Sequence, residues 1–413
     1  MRAWKSVVVP RLRGTGSGRV HAHDTLTGQL QPVGPEVGEA RLYACGITPY
    51  DATHLGHAAT YVAVDLLHRA WLDAGLTVRY AQNVTDVDDP LLERATATGA
   101  DWEQLAADQI ELFRTDMAAL RVLPPAELTG VVESLDRVTD LLGVLRDERA
   151  IYQVPDPEYP DWYFSVTKSS GLMDGTGYSM LEAEQIFAER GGVPDRPGKR
   201  HRLDCLVCRQ ERNGEPAWDS WLGRGRPGWH IECTAIALGA LGTDFDVQAG
   251  GRDLAFPHHP MCAAEARVAT GHPFAKVFLH TGMVGLDGEK MSKSRGNLVF
   301  VSRLLVSRLR ASGVDPMAIR LVLLANHYRS DWEYTSDVLA AAEARLAKWR
   351  TAVARPGADA GPVIEAVRNA LRNDLNAPAA LAAIDAWADA PGDAADASDL
   401  VREAVDALLG VAL

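Results

Sequence analysis

Cys45-Gly46-Ile47-Thr48-Pro49-Tyr50-Asp51-Ala52-Thr53-His54-Leu55-Gly56-His57 is the stretch on which the fold turns. The apolar run Ala40-Arg41-Leu42-Tyr43-Ala44 before it reads as a strand, and Ala58 to Leu72 after it carries apolar residues at helical spacing. A strand, a tight polar turn and a helix opening on His-Leu-Gly-His make a geometry that faces phosphate. Gly56 lets a ligand approach the backbone, and the N–H groups of the first helical turn join the histidine donors there. Cys45 places a metal-capable thiol at the strand end of the same loop. Taken alone, two histidines beside a glycine are more often turn and cap residues.

A second signal lies far downstream, at Lys290-Met291-Ser292-Lys293-Ser294. Two lysines and two serines around one apolar residue suit a loop that clamps a triphosphate, although a solvated basic loop has the same composition. In this order the two motifs resemble those of class I aminoacyl-tRNA synthetases, and the residues between them resemble cysteinyl-tRNA synthetase. The resemblance runs from about Leu42 to Asn297. It extends to the shortened relatives of that enzyme, the ATP-dependent ligases that join cysteine to glucosaminyl-inositol in mycothiol biosynthesis. Those ligases carry Glu-Arg-Gly-Gly-Asp-Pro; here Glu189-Arg190-Gly191-Gly192-Val193-Pro194 is similar, with Val193 in place of the aspartate.

The bulk properties narrow the class. A chain of 413 residues, 47% hydrophobic and 23% charged, can bury a large core in two or three domains. A formal net charge of -13 argues against a broad basic face for nucleic acid. Cys45, Cys205, Cys208, Cys233 and Cys262 are too few for a disulfide framework, which points to a reducing compartment with metal or catalytic thiols. With no signal-type N-terminus and no membrane-length apolar run, a cytoplasmic protein is expected.

Strand and helix patterns alternate from Leu42 to about Leu120, with Thr77 to Val84 as a second strand, which predicts an α/β fold on a Rossmann-like parallel sheet. The expected division is 1–123 for N-terminal strands (Ser6 to Val9 among them) and the first half of the catalytic domain, and 124–216 for an inserted connective domain. Residues 217–285 return to the sheet, 286–335 carry the lysine loop, and 336–413 form a C-terminal helical bundle. Asp86, Asp88 and Asp89 lack the glycine and terminal glutamate of a calcium loop and read as cap and hinge residues. Cys205-Leu206-Val207-Cys208 has zinc-like spacing but no second pair nearby, so free surface thiols are the reading. A helix is expected over Ala235 to Leu241 after Gly228-Trp229-His230-Ile231-Glu232-Cys233.

The remaining chemistry is what the resemblance implies. Cys45, Cys233 and His258 hold one Zn²⁺, which selects cysteine through its thiolate. Cys262, one helical turn beyond His258, stands where the synthetases have a glutamate ligand and is either a fourth ligand or a buried bystander, the latter leaving an open position on the metal. ATP, with Mg²⁺, lies across His54, Gly56 and His57, with adenine near Met283 and Val284 and phosphates under Lys290, Ser292 and Lys293. Cysteine and the acceptor are lined by Cys45, Gly46, Ile47, Thr48, Thr60, Asn83, Val84, Thr85, Trp229, Gly251, Arg252 and Asp253. His57, Lys290, Lys293, Asp253 and Thr48 act in catalysis. The partners are L-cysteine, ATP and glucosaminyl-inositol, with no tRNA, no membrane and a monomeric state. The alternative is a cysteinyl-tRNA synthetase without its anticodon module; the chain stops at Leu413 after an acidic tail whose Asp385, Asp389, Asp393, Asp396 and Asp399 would repel phosphate.

Overall fold

A computed structural model describes every residue except 15, 17, 51, 52, 287, 288 and 291–313. Its centre is a five-stranded sheet in the order Ala275–Thr281, Phe245–Gly251, Glu39–Ala44, Thr77–Val84, Glu127–Gly130. Every pairing in it is parallel. Numbered along the chain, that order is 3-2-1-4-5 read from the other edge, the doubly wound arrangement. The order reverses between Glu39–Ala44 and Phe245–Gly251. Connections from these neighbouring strands leave for opposite faces there, opening a crevice at the strands' carboxyl ends. Cys45 sits at that point, its N–H donating to Ala249 O at 3.1 Å.

The helix Leu55–Asp73 follows the first parallel strand. It is buried nearly all round, because the sheet covers one side and helices of the C-terminal region cover the other. Those helices are Pro316–Leu324, Ser336–Ala352, Ala360–Arg372, Ala377–Asp389 and Ala397–Leu409. A buried ionic knot ties them to it. Asp65 Oδ2 accepts from Arg69 Nε at 2.7 Å and from Arg320 Nη2, while Arg320 Nε donates to Leu409 O at 2.6 Å.

A second, antiparallel sheet joins Ile151–Gln153, Trp162–Phe164, Cys205–Gln210, Gly223–Pro227 and Trp218–Ser220, in that order. Trp218 therefore belongs to the inserted sheet and does not return to the parallel one. Conversely, Glu127–Gly130 is still part of the parallel sheet. Residues 6–9 form no strand; the N-terminal hairpin is Val20–Asp24 with Gln29–Val33. Cys205 and Cys208 are buried core residues, not surface thiols, because their strand lies in the middle of the insert. Asp385 and Asp389 are engaged by Arg345 and Lys348, so the tail's acidic composition does not leave these carboxylates uncompensated.

Candidate active site

The parallel strands deliver their loops to a cavity of about 840 Å³. On one side is the start of Leu55–Asp73. His54 caps it, its side chain accepting from His57 N at 3.3 Å, and the two imidazoles stack with centroids 3.8 Å apart. A Cβ on Gly56 would stand 2.9 Å from the His54 ring, so a larger residue there would push the capping imidazole aside. Burial lowers the His57 imidazole to about 4, with Asp253 opposing the shift, so this histidine is neutral near pH 7. His57 Nδ1 has no hydrogen-bond partner among the described residues.

On another side, one sulfur each from Cys45 and Cys233 and a ring nitrogen of His258 lie within 4.8 Å of one another, all buried. Cys233 comes from the helix Trp229–Leu241, which starts six residues before the expected Ala235 because Gly228 is its cap. His258 opens the helix His258–Thr270. A hydrogen bond from Cys45, ahead of neighbouring His258, holds the Cys233 thiol well below its usual range, while burial pushes Cys45 up. The pair thus already favours one thiolate, the form that binds a metal. Two sulfurs and an imidazole suit Zn²⁺ and leave a fourth tetrahedral position for a substrate atom. Cys262 lies outside this set, its Sγ donating to His230 O at 3.4 Å.

Three histidines that sequence reasoning missed surround the cluster. The Nδ1 atoms of His230 and His258 are 2.9 Å apart. His259 Nε2 is 3.3 Å from Cys45 Sγ, and its Nδ1 is 2.7 Å from His280 Nε2. Such partners orient ligand atoms. The adjacent His258-His259 pair in the sequence was the one available signal for them.

Of the other sequence-predicted residues, Gly46, Ile47, Thr48, Thr60, Thr85, Trp229, Gly251, Asp253, Met283 and Val284 line this cavity. Asn83 does too, but its Oδ1 is already used by Gly46 N at 2.8 Å and Tyr43 Oη at 3.0 Å. Val84 is core, and Arg252 points to Asp331, its Nη1 2.8 Å from Oδ2. Lys290 is the second residue of the short strand Glu289–Lys290, and Ser292 and Lys293 lie outside the described residues. Asp88 caps Asp89–Thr98, the cap duty expected of it, and Asp86 accepts from Val132 N.

Residues 32–344 match the family described as tRNA synthetases class I (C) catalytic domain. The chain is 57% identical to an L-cysteine:1D-myo-inositol 2-amino-2-deoxy-alpha-D-glucopyranoside ligase of Thermobispora bispora, covering 100% of each chain. It is also 57% identical to the ligase of that name from Kribbella flavida, again over 100% of each. Among solved structures it is similar to Mycobacterium tuberculosis methionyl-tRNA synthetase in complex with methionyl-adenylate, with a TM-score of 0.62 and 17% identity over 90% of this chain and 92% of that one. A LeuRS of Agrobacterium radiobacter gives 0.63 and 12% over 91% and 84%. At such identities the two structures speak for the fold alone.

Proposed function

The chain belongs to the class I (C) tRNA synthetase catalytic-domain family and, within it, to the L-cysteine:1D-myo-inositol 2-amino-2-deoxy-alpha-D-glucopyranoside ligases, and from that membership we propose the reaction it performs. It is an ATP-dependent ligase of mycothiol biosynthesis. It activates L-cysteine as cysteinyl-adenylate and transfers the cysteinyl group to the amine of glucosaminyl-inositol, releasing diphosphate and then AMP. The observation that carries this reading is that the Cys45–Cys233–His258 cluster and the His54–His57 helix start line one cavity.

The residues divide the work. The N–H groups at the start of Leu55–Asp73, and neutral His57 as a donor, receive the nucleotide's phosphates. Lys290 and Lys293 add positive charge as negative charge develops on the phosphates, Ser292 offers a hydroxyl to the bound nucleotide, and Mg²⁺ accompanies ATP. Zn²⁺ held by Cys45, Cys233 and His258 would take the substrate's thiolate as a ligand, which serine's hydroxyl replaces poorly. Trp229 steadies the His258 ring, and Thr48 and Thr85 border the amino acid. Asp253, exposed at the cavity edge, orients the acceptor amine and accepts its proton as the amide forms. The proposal includes a cytoplasmic monomer that handles small molecules and not tRNA.

A side-by-side assay tests it: protein, cysteine and ATP with either glucosaminyl-inositol or tRNA at low salt. The amide with equimolar AMP and diphosphate is expected. Cysteinyl-tRNA without any amide would overturn the assignment.

A further inference from the structure

The cavity has more wall than cysteine activation uses. Arg190, Gly191 and Gly192, together with Asp161, Arg196 and Arg212, come from the inserted region and line the same space as the metal cluster. The Arg190-Gly191-Gly192 segment is therefore part of the site and not a remote surface turn. Its shape is dictated locally. Gly191 sits at φ +84°, and a Cβ on Gly192 would come within 2.4 Å of the Phe187 ring. The turn aims Arg190 across to the catalytic half, where Nη1 donates to the carbonyls of Asp253 and Phe256. Those carbonyls bracket the turn that carries Asp253 and leads into His258.

The chemistry of this wall differs from that of a phosphate site. Arg212 Nη2 bonds both oxygens of buried Asp161, at 3.0 and 2.8 Å, and Arg196 Nη2 pairs with Asp156 at 3.0 Å and with Asp161 at 3.5 Å. Arg196 and Arg212 are paired with carboxylates and Arg190 is engaged by backbone carbonyls, so none of the three is directed at a polyphosphate. What the wall presents is the guanidinium donors of Arg196 and Arg212 beside the carboxylate of Asp161. A ring hydroxyl both donates and accepts, so a neutral, hydroxyl-rich ring matches such a surface.

We infer that the inserted region, joined to the Asp253 turn through Arg190, is the subsite for the polyhydroxylated end of the acceptor. Arg190 is a positioning residue that sets this wall against Asp253, and Arg196 belongs to the wall itself. The inference rests on the proposed ligase reaction and names where its acceptor is read.

The test separates the two half-reactions. ATP–diphosphate exchange with cysteine needs no acceptor, whereas amide formation does. In Arg190→Gln and Arg196→Gln, exchange should stay within about twofold of wild type, which also reports an intact fold. The KM for glucosaminyl-inositol should rise about tenfold, the scale of one charge-assisted hydrogen bond, with kcat changed less. Glucosamine, which lacks the inositol ring, is the comparison acceptor. Wild type should prefer glucosaminyl-inositol, and both variants should lose much of that preference. Unchanged acceptor KM and preference in both variants, or exchange falling in step with ligation, would overturn the inference. Wild type forming an amide with neither acceptor would instead remove the ligase reading, so the two failures are distinct.

Discussion

The indole of Trp229 lies over the imidazole of His258, with ring centroids 4.3 Å apart and planes inclined by 28°. His258 is thereby held between Trp229 on its face and His230 at its Nδ1. A metal ligand fixed on two sides loses little orientational freedom when an ion binds.

Trp229→Ala should therefore weaken Zn²⁺ retention by about 10- to 100-fold, the usual effect of losing an outer partner of a ligand. Trp229→Phe, which keeps a ring over His258, should lose less. Competition with a chromogenic chelator measures both. Equal zinc affinity in wild type and Trp229→Ala would show that the stacking is only core packing.

Purified wild type should carry about one zinc per chain, as a two-thiolate, one-imidazole set requires. Cys45→Ala with Cys233→Ala should abolish that occupancy and with it cysteine-dependent exchange. Elemental analysis decides the matter, and full zinc in the double variant would remove these residues from the site.

Lys290→Ala and Lys293→Ala are expected to slow ATP–diphosphate exchange by about 10²- to 10³-fold, as loss of a group stabilising transition-state charge does. The cysteine KM should move little, because the lysines act as phosphate charge develops. A change confined to the cysteine KM would contradict that role.

Asp65 supplies a pH signature of the fold. Burial alone would raise its carboxyl, but Arg69 and Arg320 hold it below the usual carboxylate value. A depressed carboxylate stabilises the native state fully above its unfolded value of about 3.9, and that stabilisation is lost as pH falls through the lower folded value. Asp65→Asn should cost about 3–5 kcal/mol near pH 7, since it leaves two buried guanidiniums short of their partner. Urea melts at pH 7 and near pH 3 measure this; the gap between wild type and variant should narrow on acidification. A constant gap would mean that the cost is packing and not charge.

Gly46→Ala probes the crevice itself. A Cβ there would fall 1.6 Å from Asn83 O, on backbone that cannot rotate away, so neighbouring loops must separate. A loss of about 1–3 kcal/mol is expected, together with weakened zinc binding because Cys45 is the adjacent residue. Thermal melts with and without added zinc follow both effects.

Much of this was legible along the chain, because strand and helix periodicity is local. The strand Thr77–Val84, the helix start at His54 and the strand Phe245–Gly251 ending in glycines all stand where their residue patterns put them. The thiols and imidazole of Cys45, Cys233 and His258 could be nominated from ligand chemistry and resemblance. That they lie within 4.8 Å of each other is a tertiary fact, set by strand order and by two helices meeting at one crevice. The same holds for what was read differently. Cys205 and Cys208 looked like surface thiols because nothing local says that their strand lies mid-sheet. Trp218 looked like part of the parallel sheet because an antiparallel strand has the same period. Acidic residues of the tail looked uncompensated because Arg345 and Lys348 are distant in sequence from Asp385 and Asp389. Local pattern determined which residues could form strands, caps and ligands. Strand order and long-range ion pairing, which depend on burial of the whole chain, decided which of them meet.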